Sequence, residues 1–348
     1  MRIAFIAPVG FYLTHQANGA RLQPTFQAAA LRRLGHQVDL LSPWEPGNPA
    51  DYDVVQFFMG GYPFWGIEKR AFGKSALVFA PMIDSNVSFR AYRIAAFLGS
   101  LGSRLNTIPG TLRRQAIGSD LVICRSNHER DRVVYGLGVN PRRTPVHVVL
   151  NGTEATPQAD PQLCRRRLDL PVDFILGVGG YWEPRKNAVR LAEAAAALGF
   201  PLVLVGPTNP SPALNRLQTM AARGSSLILL GYQPQEVLNS LYAACRVFAL
   251  PSLHEGTGMV SLDAAAQGPP VVVTKNGGPP SYFKDLEMAY QVDPFSPKSI
   301  REGLQRAWQC KRTGRLAQHV RENLTWDKSA RSLLSAYEHA KTPPRGTG

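Results

Sequence analysis

The chain has 348 residues, 44% hydrophobic and 18% charged, with a formal net charge of +14; its length suits two domains of ordinary size. Its four cysteines are scattered with no C-x-x-C pair, so they indicate neither a disulfide framework nor a zinc site. A basic chain can bind nucleic acid, but no zinc-finger, homeodomain-like or aromatic RNA-platform motif accompanies the charge, so we expect no nucleic-acid partner.

In the first half of the chain, strand patterns alternate with helix patterns. Residues 2–8 predict an opening strand and residues 20–34 a helix, and the turn at residues 35–38 leads into a second strand. Alternation of this kind predicts parallel sheets with crossover helices. The opening apolar run is too short for a secretory signal or a membrane span, so we expect a cytoplasmic protein.

Ser88 to Gln115 forms a segment rich in arginine and apolar residues. A basic amphipathic segment of this kind can lie on anionic lipid, which would place the protein on the inner face of the cytoplasmic membrane. It can equally be a core-packed helix with a solvated basic face. Both interpretations stay open at this point.

Two strands follow before the middle of the chain. Residues 121–126 predict one, and residues 146–152 predict another that ends in an Asn-Gly turn. Asn151-Gly152 therefore marks the predicted boundary between two domains. Residues 151–171, rich in proline, glutamine and charge, are the predicted connector.

The second half opens with a strand at residues 174–178 and a loop, GGYWEPRKN, from Gly179 to Asn187. Residues 177–180 invite a dinucleotide-binding interpretation as G-x-G-G. That fingerprint needs a third glycine at the helix start and an acidic residue about twenty positions on. Trp182, Glu183 and Pro184 occupy the region instead, so we reject a dinucleotide site.

The most informative stretch is PSLHEGTGMVSLDAAAQGPPVVV, residues 251–273. The apolar run at 247–250 predicts a buried parallel strand, and the run from Met259 to Gln267 predicts a helix. Gly256 and Gly258 lie between them, where backbone N–H groups can turn toward a ligand. A helix start also favours anions through its free N–H groups and its dipole. The stretch therefore predicts a phosphate or diphosphate site.

Two acidic residues flank this predicted site. Glu255 precedes the glycine loop, and Asp263 lies eight residues further on. Carboxylates accept hydrogen bonds from hydroxyl groups, so the pair could bind sugar or ribose hydroxyls on either side of a diphosphate.

The segment resembles the E-x7-E signature of the retaining glycosyltransferases of family 4, the glycosyl transferases group 1 type. This resemblance implies a GT-B fold, an α/β architecture of two Rossmann-like domains that face each other across a cleft. It assigns residues 1–151 to an acceptor domain and residues 152–325 to a nucleotide-sugar donor domain. Residues 326–348 would form a C-terminal helix that returns to the first domain, since Trp326 matches the family's tryptophan at that helix start.

The resemblance also implies roles in donor binding. Glu255 would hold the donor sugar, and Asp263 the ribose, although the family has glutamate there and aspartate is shorter by about 1.5 Å. Lys186 would bind the diphosphate and stabilise the departing nucleotide. The family's second cation is an arginine at the position of Tyr181, so Arg185 is its candidate replacement. The loop residues implied to hold sugar and phosphate are Gly256, Thr257, Gly258, Met259 and Val260.

On the acceptor side the match is weaker. Many relatives carry a histidine after the fourth strand of the first domain, but this chain has none there, and Asp84 is the nearest polar candidate for a catalytic base. Gly19 would border the phosphates or the acceptor. The resemblance implies transfer with retained configuration, without a protein nucleophile and without a bound metal or other cofactor.

The implied substrates are a nucleoside diphosphate sugar and a glycan or lipid-linked acceptor, as in bacterial lipopolysaccharide or other cell-surface polysaccharide synthesis. Two alternatives stay open. One is a nucleotide-sugar epimerase on the same fold, which would bind the same donor without transfer to an acceptor. The other is a non-catalytic protein that binds nucleotide sugars, prompted by the departures at Asp263 and Tyr181 and by the missing histidine.

Overall fold

The structure is a computed structural model that describes residues 1–7, 19–41, 48–60, 73–101, 107–154 and 158–341. Residue 8 of the predicted first strand and residues 342–348 of the predicted C-terminal segment lie outside these ranges. The chain divides into two compact units. One comprises Met1–Asn151 with Trp326–Gly348, and the other comprises Gly152–Thr325.

The first unit is built on a parallel sheet of six strands, in the order β2-β1-β3-β4-β5-β6. The strands are β1 Arg2–Ile6, β2 Gln37–Leu41, β3 Val54–Phe58, β4 Ala76–Ala80, β5 Leu121–Cys124 and β6 Val146–Val148. Its helices in the first half of the chain are α1 Gly19–Arg33, α2 Phe89–Ser100, α3 Ile108–Gly118 and α4 Asn127–Asp131, with a 3₁₀ turn at Pro49–Asp51 and a π turn at Arg132–Gly136.

Helix starts in this unit follow from their capping residues. The side chains of Ser88, Thr107 and Ser126 accept hydrogen bonds from backbone N–H groups in the first turns of α2, α3 and α4. Each such bond satisfies a donor that the helix itself leaves unpaired. The central strands β3 and β4 are buried along their whole length, as expected for strands covered on both faces.

The second unit also has six parallel strands, in the order β12-β11-β10-β7-β8-β9. They are β7 Ile175–Val178, β8 Leu202–Val205, β9 Leu227–Leu230, β10 Val247–Leu250, β11 Val271–Thr274 and β12 Ala289–Val292. The remaining helices are α5 Pro161–Arg167, α6 Ala188–Ala197, α7 Pro212–Ala222, α8 Gln235–Ala244, α9 Met259–Gln267, α10 Pro280–Phe283, α11 Pro297–Gln309, α12 Arg315–Asn323 and α13 Trp326–Lys341, with a 3₁₀ turn at Pro184–Lys186.

Helix α13 belongs to the first unit although it follows the second in sequence. The Trp326 ring stacks on Phe26 of α1, with ring centroids 5.4 Å apart. The Tyr337 hydroxyl donates to Oε1 of the buried Gln56 on β3 at 2.5 Å. Aromatic packing and a buried hydrogen bond therefore fix the helix on the first sheet.

The strand order of the second unit matches the doubly wound order of Rossmann folds. Strands β7 and β10 are neighbours. The strands that follow β7 in sequence lie toward one edge of the sheet, and those that follow β10 lie toward the other edge. Ligands of such sheets bind beyond the carboxyl ends of the strands at this switch point. In the part of the chain that the structure describes, no helix is long and apolar enough to cross a membrane.

Candidate active site

The loops that follow β7 and β10 meet at the switch point of the second unit. The loop after β7 contains the 3₁₀ turn, and Asn187 then adopts a left-handed conformation with φ of 59°. The Asn187 side-chain amide donates to the carbonyl oxygens of Pro251 and Pro294, both at 2.9 Å. The N–H of Leu253 donates to the Arg185 carbonyl at 2.9 Å. These bonds fix one loop against the other.

The loop after β10 leads into α9 as the sequence predicts. The strand Val247–Leu250 and the helix Met259–Gln267 have the predicted bounds. Gly258 has φ of 73°, a conformation that favours glycine, and it caps the start of α9. Ser261 Oγ donates back to the Gly258 carbonyl at 2.5 Å. The first turn of α9 thus begins directly beside Glu255.

Lys186, Arg185 and Glu255 form an ion cluster between the two loops. The distance from Lys186 Nζ to Glu255 Oε1 is 2.8 Å, and the distance from Arg185 Nη1 to Glu255 Oε2 is 3.5 Å. Arg185 also contacts Glu183 Oε2 at 3.4 Å and donates to the His254 carbonyl at 3.2 Å. The Glu255 side chain is only 7% exposed, whereas that of Arg185 is 38% exposed. The structure therefore brings the predicted sugar-binding acid and both predicted cations together.

A third loop, which sequence reasoning did not single out, forms hydrogen bonds with the backbone of Glu255. Gly277 follows β11 and pairs with Glu255 in an isolated β-bridge, and the Gly278 N–H donates to the Glu255 carbonyl at 2.8 Å. A Cβ on Gly277 would lie 2.1 Å from that carbonyl oxygen, so the position requires glycine. The Asn-Gly-Gly run after a buried strand was the signal that could have indicated this loop.

Tyr181 has a structural role in the second unit. Its ring is 3% exposed within the hydrophobic core, and its hydroxyl donates to the Leu230 carbonyl at the end of β9 at 3.0 Å. Burial raises the pKa of this hydroxyl, which keeps it a neutral donor. The cation near Glu255 besides Lys186 is accordingly Arg185.

Asp263 lies on α9, partly buried, and its carboxylate has a partner within the unit. Thr153 Oγ1 donates to Asp263 Oδ1 at 2.6 Å. Burial raises the pKa of Asp263 to about 6, an effect that the Thr153 hydrogen bond opposes and the Glu154 charge reinforces. The side chain is therefore a carboxylate near neutral pH that accepts one hydrogen bond and has capacity for more.

Gly19 and Asp84 belong to the first unit. Gly19 is the first residue of α1. Asp84 is exposed in the segment after β4, and the preceding residue is fixed by a hydrogen bond from the Ile83 N–H to Glu129 Oε1 at 2.5 Å. Glu129 is buried and also accepts from the Arg125 N–H at 2.8 Å. Sequence reasoning missed this glutamate, which joins the segments after β4 and β5.

One Asp-x-Asp sequence occurs, Asp51-Tyr52-Asp53, but its side chains have other contacts. Asp53 Oδ2 accepts from the Arg2 N–H at 2.8 Å, and the Tyr52 hydroxyl donates to Asp39 at 3.0 Å. The motif precedes β3, at the amino end of the strand. Across the six described ranges, no group of three histidine, cysteine or acidic side chains is arranged to hold a metal ion.

The fold and the second unit are similar to those of known glycosyltransferases. The solved structure of Anabaena Alr3699/HepE in complex with UDP-glucose superimposes with a TM-score of 0.71 and 16% identity, covering 97% of this chain and 100% of that one. The fold is that of the GT-B glycosyltransferases, as predicted. Residues 171–325 match the family described as glycosyl transferases group 1. The predicted resemblance to glycosyl transferases group 1 is therefore confirmed over residues 171–325, which lie in the second unit.

Two curated relatives are glycosyltransferases of bacteria. The D-inositol 3-phosphate glycosyltransferase of Streptomyces bingchenggensis is 26% identical over 326 residues, which are 86% of this chain and 70% of that one. The lipopolysaccharide core biosynthesis glycosyltransferase LpsE of Rhizobium meliloti is 32% identical over 178 residues, 50% of this chain and 51% of that one. The second match therefore spans about half of LpsE.

Proposed function

We propose that this protein is a retaining glycosyltransferase that moves a hexosyl group from a nucleoside diphosphate sugar to a hydroxyl of a glycan or lipid-linked acceptor. The observation that carries the proposal is the cluster of Glu255 with Lys186 and Arg185 at the switch point of the second sheet. The two cations bind the diphosphate, and the carboxylate accepts hydrogen bonds from sugar hydroxyls.

The departing nucleoside diphosphate gains negative charge as the bond to the sugar breaks. Lys186 Nζ and the Arg185 guanidinium stabilise this charge from fixed positions, because Asn187 and the Leu253 N–H hold their loop. The backbone of residues 256–260 adds N–H groups at the start of α9. We therefore assign charge stabilisation to protein cations and expect no requirement for a divalent metal.

Glu255 has two partners to exchange during donor binding. Its carboxylate is paired with Lys186 at 2.8 Å, so a bound diphosphate competes with Glu255 for the ammonium group. When phosphate oxygens bind the Lys186 ammonium group, the Glu255 carboxylate is free to accept hydrogen bonds from sugar hydroxyls. The ion pair thus holds both side chains in position before the donor arrives.

Retention of configuration follows if the acceptor hydroxyl attacks from the face that the diphosphate leaves. The departing phosphate then takes the acceptor proton, and no protein nucleophile is needed. Asp84 is the alternative acceptor of that proton among the side chains. Within this proposal Asp263 binds the ribose, and Gly19 borders the phosphates. A cell-surface acceptor is supported by the relative named for lipopolysaccharide core biosynthesis.

The test compares Glu255→Gln with Glu183→Gln. Purified wild type is incubated with UDP-, GDP- and ADP-sugars and a lipid extract, and formation of glycosylated product is measured. We expect Glu255→Gln to lower turnover about 100-fold while it binds the free nucleoside diphosphate at least as tightly, because it no longer competes for Lys186. Glu183→Gln removes a neighbouring carboxylate of Arg185 and should stay within about threefold.

Each other outcome contradicts a part of the proposal. Conversion of one nucleotide sugar into another without acceptor would identify an epimerase. Donor binding without product in any extract would identify a non-catalytic binding protein. Full turnover in Glu255→Gln would place the active site elsewhere.

A further inference from the structure

Helix α2 is apolar on two opposite faces. Tyr92, Ala96 and Gly99 are buried in the first unit, at the spacing of one helix face. The other face carries Ile94 (62% exposed), Phe97 (54%), Leu98 (46%) and, at the helix end, Leu101 (65%). These four residues recur at i, i+3, i+4 and i+7, so they share one face. A surface helix normally presents polar residues to water, and this one presents large apolar side chains.

Exposed apolar residues are also concentrated in the sequence next to α2. Ile108, the first residue of α3, is 78% exposed. Of the eleven large apolar side chains that are exposed in the described ranges, seven lie between positions 87 and 117. We call these seven the α2–α3 surface: Val87, Ile94, Phe97, Leu98, Leu101, Ile108 and Ile117. Single exposed apolar residues need no explanation, but a concentration of this kind marks an interaction site.

The helix pair that carries the surface is firmly packed. A Cβ on Gly110 of α3 would lie 2.3 Å from the carbonyl carbon of Gly99 on α2, so the two helices approach at backbone contact. Thr107 Oγ1 donates to the Ala95 carbonyl at 2.9 Å, and Arg114 Nη1 donates to the Gly99 carbonyl at 2.6 Å. The exposed side chains are therefore held outward by a fixed helical hairpin.

The positive charge of residues 85–119 favours an anionic partner. From Ser85 to Ser119 the sequence contains five arginines and no acidic residue. Arg90 and Arg93 are exposed on α2 itself. Apolar side chains flanked by arginine suit the boundary between acyl chains and anionic headgroups, where each arginine near the surface adds to binding.

We propose that the α2–α3 surface docks on an anionic lipid bilayer. Sequence alone left a lipid-binding segment and a core-packed helix open, and the structure shows that α2 has a core-packed face and an exposed apolar face. Because no described helix can span a membrane, the contact is peripheral. The inference rests on the proposed function in one respect: membrane docking would bring the enzyme to a lipid-linked acceptor.

The test is co-sedimentation of the full chain with vesicles of phosphatidylcholine, with or without about one third phosphatidylglycerol. We expect binding to the anionic vesicles that weakens with added salt. Phe97→Ser with Leu101→Ser, and separately Arg90→Glu with Arg93→Glu, should each lower vesicle affinity at least about tenfold. The matched controls are Val172→Ser with Phe295→Ser, exposed apolar residues of the second unit, and the exposed Arg223→Glu; both should stay within about twofold of wild type.

Absence of binding to anionic vesicles, or equal binding by the variants, would overturn the proposal. A dimer in sedimentation velocity that dissociates in the Phe97 and Leu101 variant would also overturn it, since the surface would then be an interface between copies. Thermal unfolding, measured without vesicles, shows whether each variant is folded. Vesicle binding by a folded wild type that binds none of UDP, GDP and ADP would leave this inference intact and contradict the proposed function.

Discussion

The carboxyl group of Asp263 shows how the fold changes the chemistry of one residue. Its pKa is raised from 3.8 to about 6, chiefly by burial, and the Thr153 hydroxyl at 2.6 Å opposes that effect by stabilising the ionised form. A carboxylate in this environment is ionised at pH 7 only at a cost to the folded state. In the proposed donor complex, a ribose hydroxyl would donate a hydrogen bond to this carboxylate.

This raised pKa makes stability depend on pH with a definite sign. Between the unfolded pKa of 3.8 and the folded pKa of about 6, the folded state binds more protons, so stability falls as pH rises through this window and then levels off. Asp263→Asn does not titrate. We expect the difference in unfolding free energy, wild type minus Asp263→Asn, to fall by at most about 3 kcal/mol from pH 4 to pH 7, measured by urea unfolding.

Thr153→Val provides the control for this prediction. Loss of the hydroxyl donor removes a bond to the ionised carboxylate, so the pKa of Asp263 rises further and the window extends above pH 6. A difference that is flat with pH, or that rises from pH 4 to pH 7, would contradict the burial of this carboxyl group.

At the scale of elements, three loops at the carboxyl ends of β7, β10 and β11 hold the candidate active site. The loop after β11 is constrained at Gly277, which has φ of 91° and whose backbone pairs with that of Glu255. Sheet order makes this possible, since β10 pairs with both β7 and β11. The position of Glu255 therefore depends on a glycine in a different loop.

Gly277→Ala should displace Glu255, because the new methyl group would lie 2.1 Å from the Glu255 carbonyl oxygen. We expect donor turnover to fall about 100-fold, the scale of effect that small misplacements have on catalysis. Gly268→Ala is the matched control. Gly268 has φ of 111°, but nothing lies within 4 Å of its Cβ position, so this variant incurs backbone strain alone.

The two alanine variants separate strain from displacement. Gly268→Ala should lower the unfolding free energy by about 1–2 kcal/mol through the left-handed conformation, and Gly277→Ala should lower it further because its methyl group also clashes with the Glu255 carbonyl. Only Gly277→Ala should lose turnover. Equal turnover in both would show that the β-bridge does not position Glu255.

Some of these elements could be predicted from local sequence and others could not. The bounds of β10 and α9 were predictable, because Pro251, two glycines and a Gly-Pro-Pro stop punctuate an apolar run and a helix-forming run. The Lys186–Glu255 ion pair joins residues 69 positions apart, and only the family resemblance suggested their proximity. The structural role of Tyr181 was not predictable, since it depends on a carbonyl at the end of β9.

At the scale of the whole molecule, the chain order and the folded units do not coincide. The last helix, α13, follows the second unit in sequence and packs in the first. The Tyr337 hydroxyl reaches Gln56 Oε1 across 281 positions of sequence, and both side chains are fully buried. The start of α13 at Trp326 was predictable from the family's tryptophan, but this buried contact was not, because neither residue belongs to a motif.

Tyr337→Phe should therefore loosen the first unit and leave the second unchanged. The variant keeps the ring but leaves Gln56 Oε1 without its hydroxyl donor inside the sheet, which costs about 1–3 kcal/mol. Hydrogen exchange followed by mass spectrometry should show faster exchange in peptides of β3, α1 and α13. Tyr232→Phe is the control, at a position 76% exposed in the second unit, and should change hydrogen exchange in neither unit. Faster exchange in β7, β10 or α9 with no change in β3 would mean that α13 stabilises the donor-binding unit instead, and the assignment of the last helix to the first unit would be wrong.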